Sequence, residues 1–195
     1  MFPERVKLEI ESEINGFERT TLKRLLRSFD QIETEAANKR KYFLENKFRN
    51  FNPDTDDEGC IEDNAFFEEL NHISIEQELK QEFLNSSATW LFHLFERQKK
   101  RVLGSDKTDI LKQQFAADGY DLDTCTDWLV LNKELRLVAN SIKHGSESTA
   151  AKDLSAKYPN LIDNANVRLS ETDIVRYIDA LKAFWEKALY GKVFL

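Results

Sequence analysis

The chain is poor in the residues that punctuate and cross-link a protein: it has two cysteines, three prolines and six glycines among 195 residues. So few turn-formers exclude a fold of many short strands and leave long helices as the simplest alternative. Cys60 and Cys125 have neither a Cys-x-x-Cys spacing nor the dense array of a secreted disulfide scaffold, so reduced thiols are expected. No apolar run approaches membrane-spanning length, and Met1-Phe2-Pro3-Glu4-Arg5 opens the chain without the apolar segment of a signal peptide. The expectation is a cytoplasmic protein with no membrane attachment. Positive charge is also scarce. With 28 Lys and Arg against 35 Asp and Glu, the net charge is −7, which excludes a surface attractive to nucleic acid everywhere and leaves room for a local basic patch.

What remains is helix-forming. At this length, 41% hydrophobic and 32% charged residues fit one all-α domain spanning 1–195. Leu22, Leu25, Leu26, Phe29, Ile32, Ala36 and Phe43 recur at helical steps and predict an N-terminal helix over about 17–48. An acidic loop over 52–63, carrying Asn52-Pro53 and Asp54 to Gly59, separates it from the bundle core. Residues 62–102 read as one long helix or as two joined at Asn85-Ser86-Ser87, closed by Gly104-Ser105-Asp106. A short helix to Ala117 follows. Then Trp128, Leu131, Leu135, Val138 and Ile142, spaced three, four, three and four, form the buried stripe of a helix over about 124–144, with Gly145 in the left-handed conformation at its end. Residues 146–169 read as a long connection containing a helical turn near 150–158. Ser170 to Asp173 resembles a capping box before the last helix. The sum is an up-and-down helical bundle.

Residues 134–145, Glu-Leu-Arg-Leu-Val-Ala-Asn-Ser-Ile-Lys-His-Gly, hold the main functional clue. Arg136, Asn140 and His144 fall at i, i+4 and i+8, on one flank with Lys143, beside a stripe facing the core. Arginine forks two donors onto a phosphate, asparagine orients a ribose or phosphate oxygen, and histidine exchanges a proton near neutral pH. Such a helix end suits a ribonuclease site, an anion site or a solvated cap that meets the helix dipole.

This stretch resembles the signature helix of the HEPN superfamily, compact helical domains common in prokaryotic toxin–antitoxin and phage-defence systems, often dimeric, some of them metal-independent ribonucleases. The family motif places four to six residues between Arg and His. Here Ala139 occupies the expected arginine position and Arg136 stands one turn earlier, with seven residues between it and His144. The resemblance covers about 85–190. It implies a HEPN-like bundle, a homodimer, and RNA or a partner protein as ligand, with no metal and no cofactor. It also implies that His144 assists attack of a ribose 2′-hydroxyl on the adjacent phosphate while Arg136 steadies the developing charge and Asn140 positions the substrate. The rival readings are a non-catalytic interaction module and an anion- or nucleotide-binding sensor.

Other motifs carry less. Arg97, Lys100 and Arg101 belong to the densest basic cluster and, with Lys143, are candidate contacts to an RNA backbone; a helix C-terminus favours such cations in any case. Glu96 beside them is placed to pair with Arg136. Asp54 to Ala65 fits a calcium loop at its first eight positions but lacks the closing Glu. Glu69-Leu70-Asn71-His72 is a single copy of a pair that di-iron bundles use twice, so a surface Glu-His pair is expected. Cys125, near a helix start, would be reactive only with a lowered pKa.

Overall fold

Ile10, Ile14 and Phe17 repeat at steps of four and three, and this apolar stripe is buried on a helix that begins well before residue 17. A computed structural model describes residues 3–190, Tyr190 by its backbone alone. Helix α1 (Glu4–Thr20) runs through a π-helical turn, Thr21–Leu25, and a 3-10 stretch, Leu26–Gln31, into α2 (Ile32–Arg49). The expected helix over 17–48 is therefore corrected twice, at its start and by a bend. The bend lets one segment serve two surfaces: α1 packs on the helices over Glu171–Tyr190 and Glu58–Leu103, whereas α2 lies along the latter. The N-terminal part of the chain belongs to the core.

Asp57 caps the next helix by accepting the Cys60 amide at 3.2 Å, so the acidic loop ends there rather than at 63. Glu58 and Gly59 are already helical, which removes the fifth and sixth positions of a calcium loop. Helix α3 (Glu58–Leu103) is a single rod of 46 residues, about 69 Å long. It does not break at Asn85-Ser86-Ser87. Ser87 Oγ donates to the Phe83 carbonyl at 2.8 Å, and Asn85 Nδ2 reaches across to the Val167 carbonyl at 3.2 Å, so these side chains support the helix instead of competing with it. Gly104, at φ 77°, ends α3 in the left-handed conformation.

After α4 (Thr108–Ala117), the chain enters one continuous helix made of α5 (Thr126–Leu129), a π-helical turn (Val130–Leu135) and α6 (Arg136–His144). Gly145 has the expected positive φ, 81°, but its ψ of 173° is extended, a combination that essentially only glycine adopts. The long connection contains α7 (Thr149–Lys157) and a minimal hairpin, β1 (Ile162–Asp163) with β2 (Asn166–Val167). Asn164 and Ala165 both take positive φ there, as a type I′ turn demands. Ser170 and Asp173 form the reciprocal capping box ahead of α8 (Glu171–Tyr190).

Among the described residues the result is an all-α helical bundle with one small two-stranded sheet. Its centre is aromatic: Phe95, Trp128 and Phe184 meet with ring centroids 5.4 to 6.1 Å apart. Buried Gln98 links the layers, accepting from Trp185 Nε1 at 2.8 Å and donating to Glu13 at 2.9 Å. A second polar tie joins the π turn to α8. Glu134, 7% exposed, accepts from the Arg176 guanidinium and from the Tyr177 hydroxyl at 2.7 Å. Among the described residues no helix is long and apolar enough to cross a membrane.

Replacing Glu134 by Ala is expected to cost about 2–3 kcal/mol, because the Tyr177 hydroxyl is left buried without an acceptor. Glu134→Gln keeps an acceptor and should lose clearly less. Urea midpoints measure both, and equal losses would remove this hydrogen bond from the account.

Candidate functional site

A π-helical turn inserts one residue into the helical register, and here it lets polar side chains turn inward beside the apolar stripe. Asn132 and Glu134 are buried together with Leu131 and Leu135. Arg136 follows at once and is exposed. Its Nε donates to the Asn132 carbonyl at 3.0 Å, which folds the guanidinium back over the π turn. Asn140 is half-buried, and Lys143 and His144 are exposed, further along α6. By helical rise, Arg136 and His144 stand about 12 Å apart along the axis. The flank expected from spacing exists, with Arg136 at one end reaching away from the other members. Asn140, Lys143 and His144 make no side-chain hydrogen bond or ion pair among the described residues. Ala139 is 2% exposed, so the position where the family motif has arginine faces the core in this chain.

Arg136 reaches into a polar cleft of about 540 Å³ between the end of α3, the start of α4 and the π turn. At its floor lies Lys99, 1% exposed. Its ammonium stands 4.5 Å from the Phe95 ring centre and 5.5 Å from that of Trp128, and 3.5 Å from Asn132 Oδ1. Burial lowers its pKa to about 8; Glu96 and Asp106 oppose that shift and Arg136 adds to it. Asn132 Nδ2 donates to Thr108 Oγ1 at 3.1 Å. Trp128 also lines the cleft, and its buried indole Nε1 has no hydrogen-bond partner among the described residues. Glu96 shares the cleft with Arg136 without an ion pair between them; its carboxylate instead meets His93 Nδ1 at 3.2 Å.

The basic cluster at the end of α3 is divided among different tasks. Arg101 forks onto Glu13 at 2.8 and 3.0 Å. Burial alone would raise the Glu13 carboxyl, but bonds from Arg101 and Gln98 outweigh it and hold it below its ordinary range. Arg97 and Lys100 remain exposed, while Lys99 between them is internal. His72 is not the surface residue expected: it is buried between α2 and α3, with Lys39 Nζ 3.0 Å from its Nδ1, while Glu69 pairs with Arg40 at 3.2 Å. Cys125 is buried as well, and burial pushes its thiol up, away from the thiolate a nucleophile needs. Among the described residues no group of three or more His, Cys, Asp or Glu is placed to hold a metal ion.

Sequence reasoning singled out Arg136 but not Lys99, Thr108, Trp128 and Asn132, which line the same cleft. The signal was present for two of them. Lys99 sits four residues after Phe95, on the apolar stripe of α3, and Asn132 lies between Leu131 and Leu135; a polar residue on a core stripe is the informative exception. Comparison with family models, with curated proteins and with solved structures found no match to this chain.

Because the Lys99 amine binds its proton more weakly in the folded chain, folding stability is expected to rise with pH from about 8 toward the ordinary 10.5. Between pH 7.5 and 9.5 the gain is about 2 kcal/mol. Tyr177 acts with the opposite sign: burial and the Glu134 charge raise its pKa, so its contribution is complete below its ordinary 10 and lost above it. Urea midpoints of wild type and Lys99→Met over pH 7.5–9.5 isolate the lysine. The rise should vanish in the variant, and a flat wild-type profile would contradict a buried ammonium.

Proposed function

We propose that this is a HEPN-like protein that binds RNA through the exposed flank of α6, or cleaves it there without a metal, in a bacterial defence or stress setting. One observation carries this reading. On a helix whose other faces are committed to the core, Arg136, Asn140, Lys143 and His144 follow one another along an open flank, and among the described residues the last three have no side-chain hydrogen-bond partner. Buried polar groups elsewhere on this helix, Asn132, Glu134 and Ser141, all have partners. Asn140, Lys143 and His144 are therefore open to a ribose-phosphate chain.

In the proposed cleavage, His144 takes the proton of a ribose 2′-hydroxyl as that oxygen forms its bond to phosphorus. The bond from phosphorus to the 5′-oxygen breaks, water protonates the leaving oxygen, and a 2′,3′-cyclic phosphate remains. Asn140 and Lys143 hold the phosphate, and Arg136 engages a neighbouring one, since it stands about 12 Å from His144 by helical rise. A homodimer joined near this flank would supply a second Arg136 to the same phosphate. The distance to Arg136 and the inward-facing Ala139 favour the second reading, a module that binds RNA or a partner protein and does not cut. Arg97 and Lys100 would extend a basic track in either case.

The purified protein is to be incubated with mixed RNA in EDTA beside His144→Ala and Arg136→Ala. Wild type should yield fragments ending in cyclic phosphate, with the His144 variant slower by about a hundredfold or more. RNA left equally intact by all three proteins removes the cleavage; RNA binding unchanged in both variants would remove the flank as the binding surface.

A further inference from the structure

The cleft beside Arg136 is built differently from the flank, and its unused donors are its main feature. Trp128 Nε1 is a buried donor with no acceptor among the described residues, an unfavourable condition when nothing meets it. Lys99 carries three N–H donors and has one long contact, 3.5 Å, to Asn132 Oδ1. Arg136 spends Nε on a carbonyl, and both of its terminal nitrogens remain. The first turn of α4 opens onto the same cleft through Lys107, Thr108 and Asp109. No side chain caps that turn, so its leading amides add donors and the positive end of a ten-residue helix. Three elements, the end of α3, the start of α4 and the α5–α6 helix, thus line one space of about 540 Å³ with donor-bearing residues.

Net charge alone does not select the ligand. Lys112 and Lys133 on the rim are paired with Asp123, and Glu96, Asp106 and Asp109 bring carboxylates. A simple anion would satisfy the donors and leave those carboxylates facing it. A ligand carrying an anion beside hydroxyl groups answers both, with its anionic oxygens on Lys99, Trp128, Arg136 and the α4 amides and its hydroxyls donating to the carboxylates. Phosphate suits the forked Arg136 and the helix terminus.

We infer that this cleft binds a phosphate monoester carried on a ribose, whether the 5′-phosphorylated end of an RNA strand or a free nucleoside monophosphate. The site is separate from the proposed cleavage on α6 and shares only Arg136 with it.

The unpartnered indole supplies a direct reporter in the unaltered protein. Of three tryptophans, Trp185 already donates to Gln98 and Trp90 is exposed, so the Trp128 Nε1–H resonance can be assigned with the help of Trp90→Phe. Titration with uridine 5′-monophosphate should move that resonance saturably downfield, whereas uridine should not move it. In binding assays, 5′-phosphorylated hexauridylate should bind at least tenfold more tightly than its 5′-hydroxyl form if the RNA end is the natural source. If the mononucleotide binds and the two oligonucleotides do not differ, the source is the free nucleotide. Lys99→Met should abolish the response, and Arg136→Gln should weaken it, while His144→Ala leaves it intact; that last arm separates this pocket from the cleavage reading. A Trp128 resonance that ignores the monophosphate, or that uridine moves equally, overturns the proposal.

Discussion

The π-helical turn at Val130–Leu135 is the constraint from which most of the molecule follows. An ordinary α-helix from Thr126 to His144 would keep one stripe of side chains inward at steps of three and four. The widened turn also draws Asn132 and Glu134 inside without displacing Leu131 or Leu135. Each buried polar group then organises a different neighbour. Glu134 fixes α8 through Arg176 and Tyr177, while Asn132 fixes the start of α4 through Thr108 and approaches Lys99 on α3. The carbonyl of Asn132, directed outward at the same point, turns Arg136 back toward the cleft. One change of backbone register therefore places the structural clamp and the candidate cleft side by side.

This also explains what the sequence disclosed and what it hid. The stripe from Trp128 to Val138, the capping box at Ser170 and the stop at Gly104 were legible, because each depends on residues close together in the chain. The bend at 21–31 was not, since it reflects which partner each half of the segment packs against, and that partner is far away in sequence. The hairpin at 162–167 escaped for a different reason: Asn164-Ala165 adopts the positive φ values usually signalled by glycine. At the site, helical spacing located Arg136 correctly on the flank with Asn140 and His144. It gave no sign that Arg136 reaches upstream, because that direction follows its bond to the Asn132 carbonyl within the π turn. Lys99 could be seen in the sequence only by treating a lysine on an apolar stripe as an anomaly to be explained.

Lys99 also shows why the cleft and the flank are different kinds of surface. The flank of α6 is solvated, so its charges are screened and their attraction for a ligand falls with salt. The Lys99 ammonium is enclosed by Phe95 and Trp128, and burial already costs it part of its proton affinity. A charge in such a place strengthens any interaction that reaches it and makes incomplete pairing expensive. Carboxylates at Glu96 and Asp106 soften that cost from the rim without a direct ion pair to the amine. The cleft is therefore the more selective of the two surfaces, and the flank the more accessible.

Stability is distributed along α3 in a way that protects this arrangement. Its C-terminal half carries Leu84, Ala88, Leu91, Phe92, Leu94 and Phe95 in the core, against α6 and α8. Its N-terminal half pairs with α2 as an antiparallel arm in which Ile32, Ala36 and Ala65 are the buried apolar residues, while Phe66, Phe67 and Leu70 are exposed. Few buried contacts and many solvent-facing ones place the arm at the low end of local stability. The arm is anchored instead by polar pairs such as Arg40 with Glu69 and Lys39 with His72, which contribute little net stabilisation individually. Local opening of the arm would spread along α3 only as far as Leu84, where apolar burial becomes dense. Lys99 lies four turns beyond that point, on the rigid side, so the donors around the cleft keep their geometry whatever the arm does.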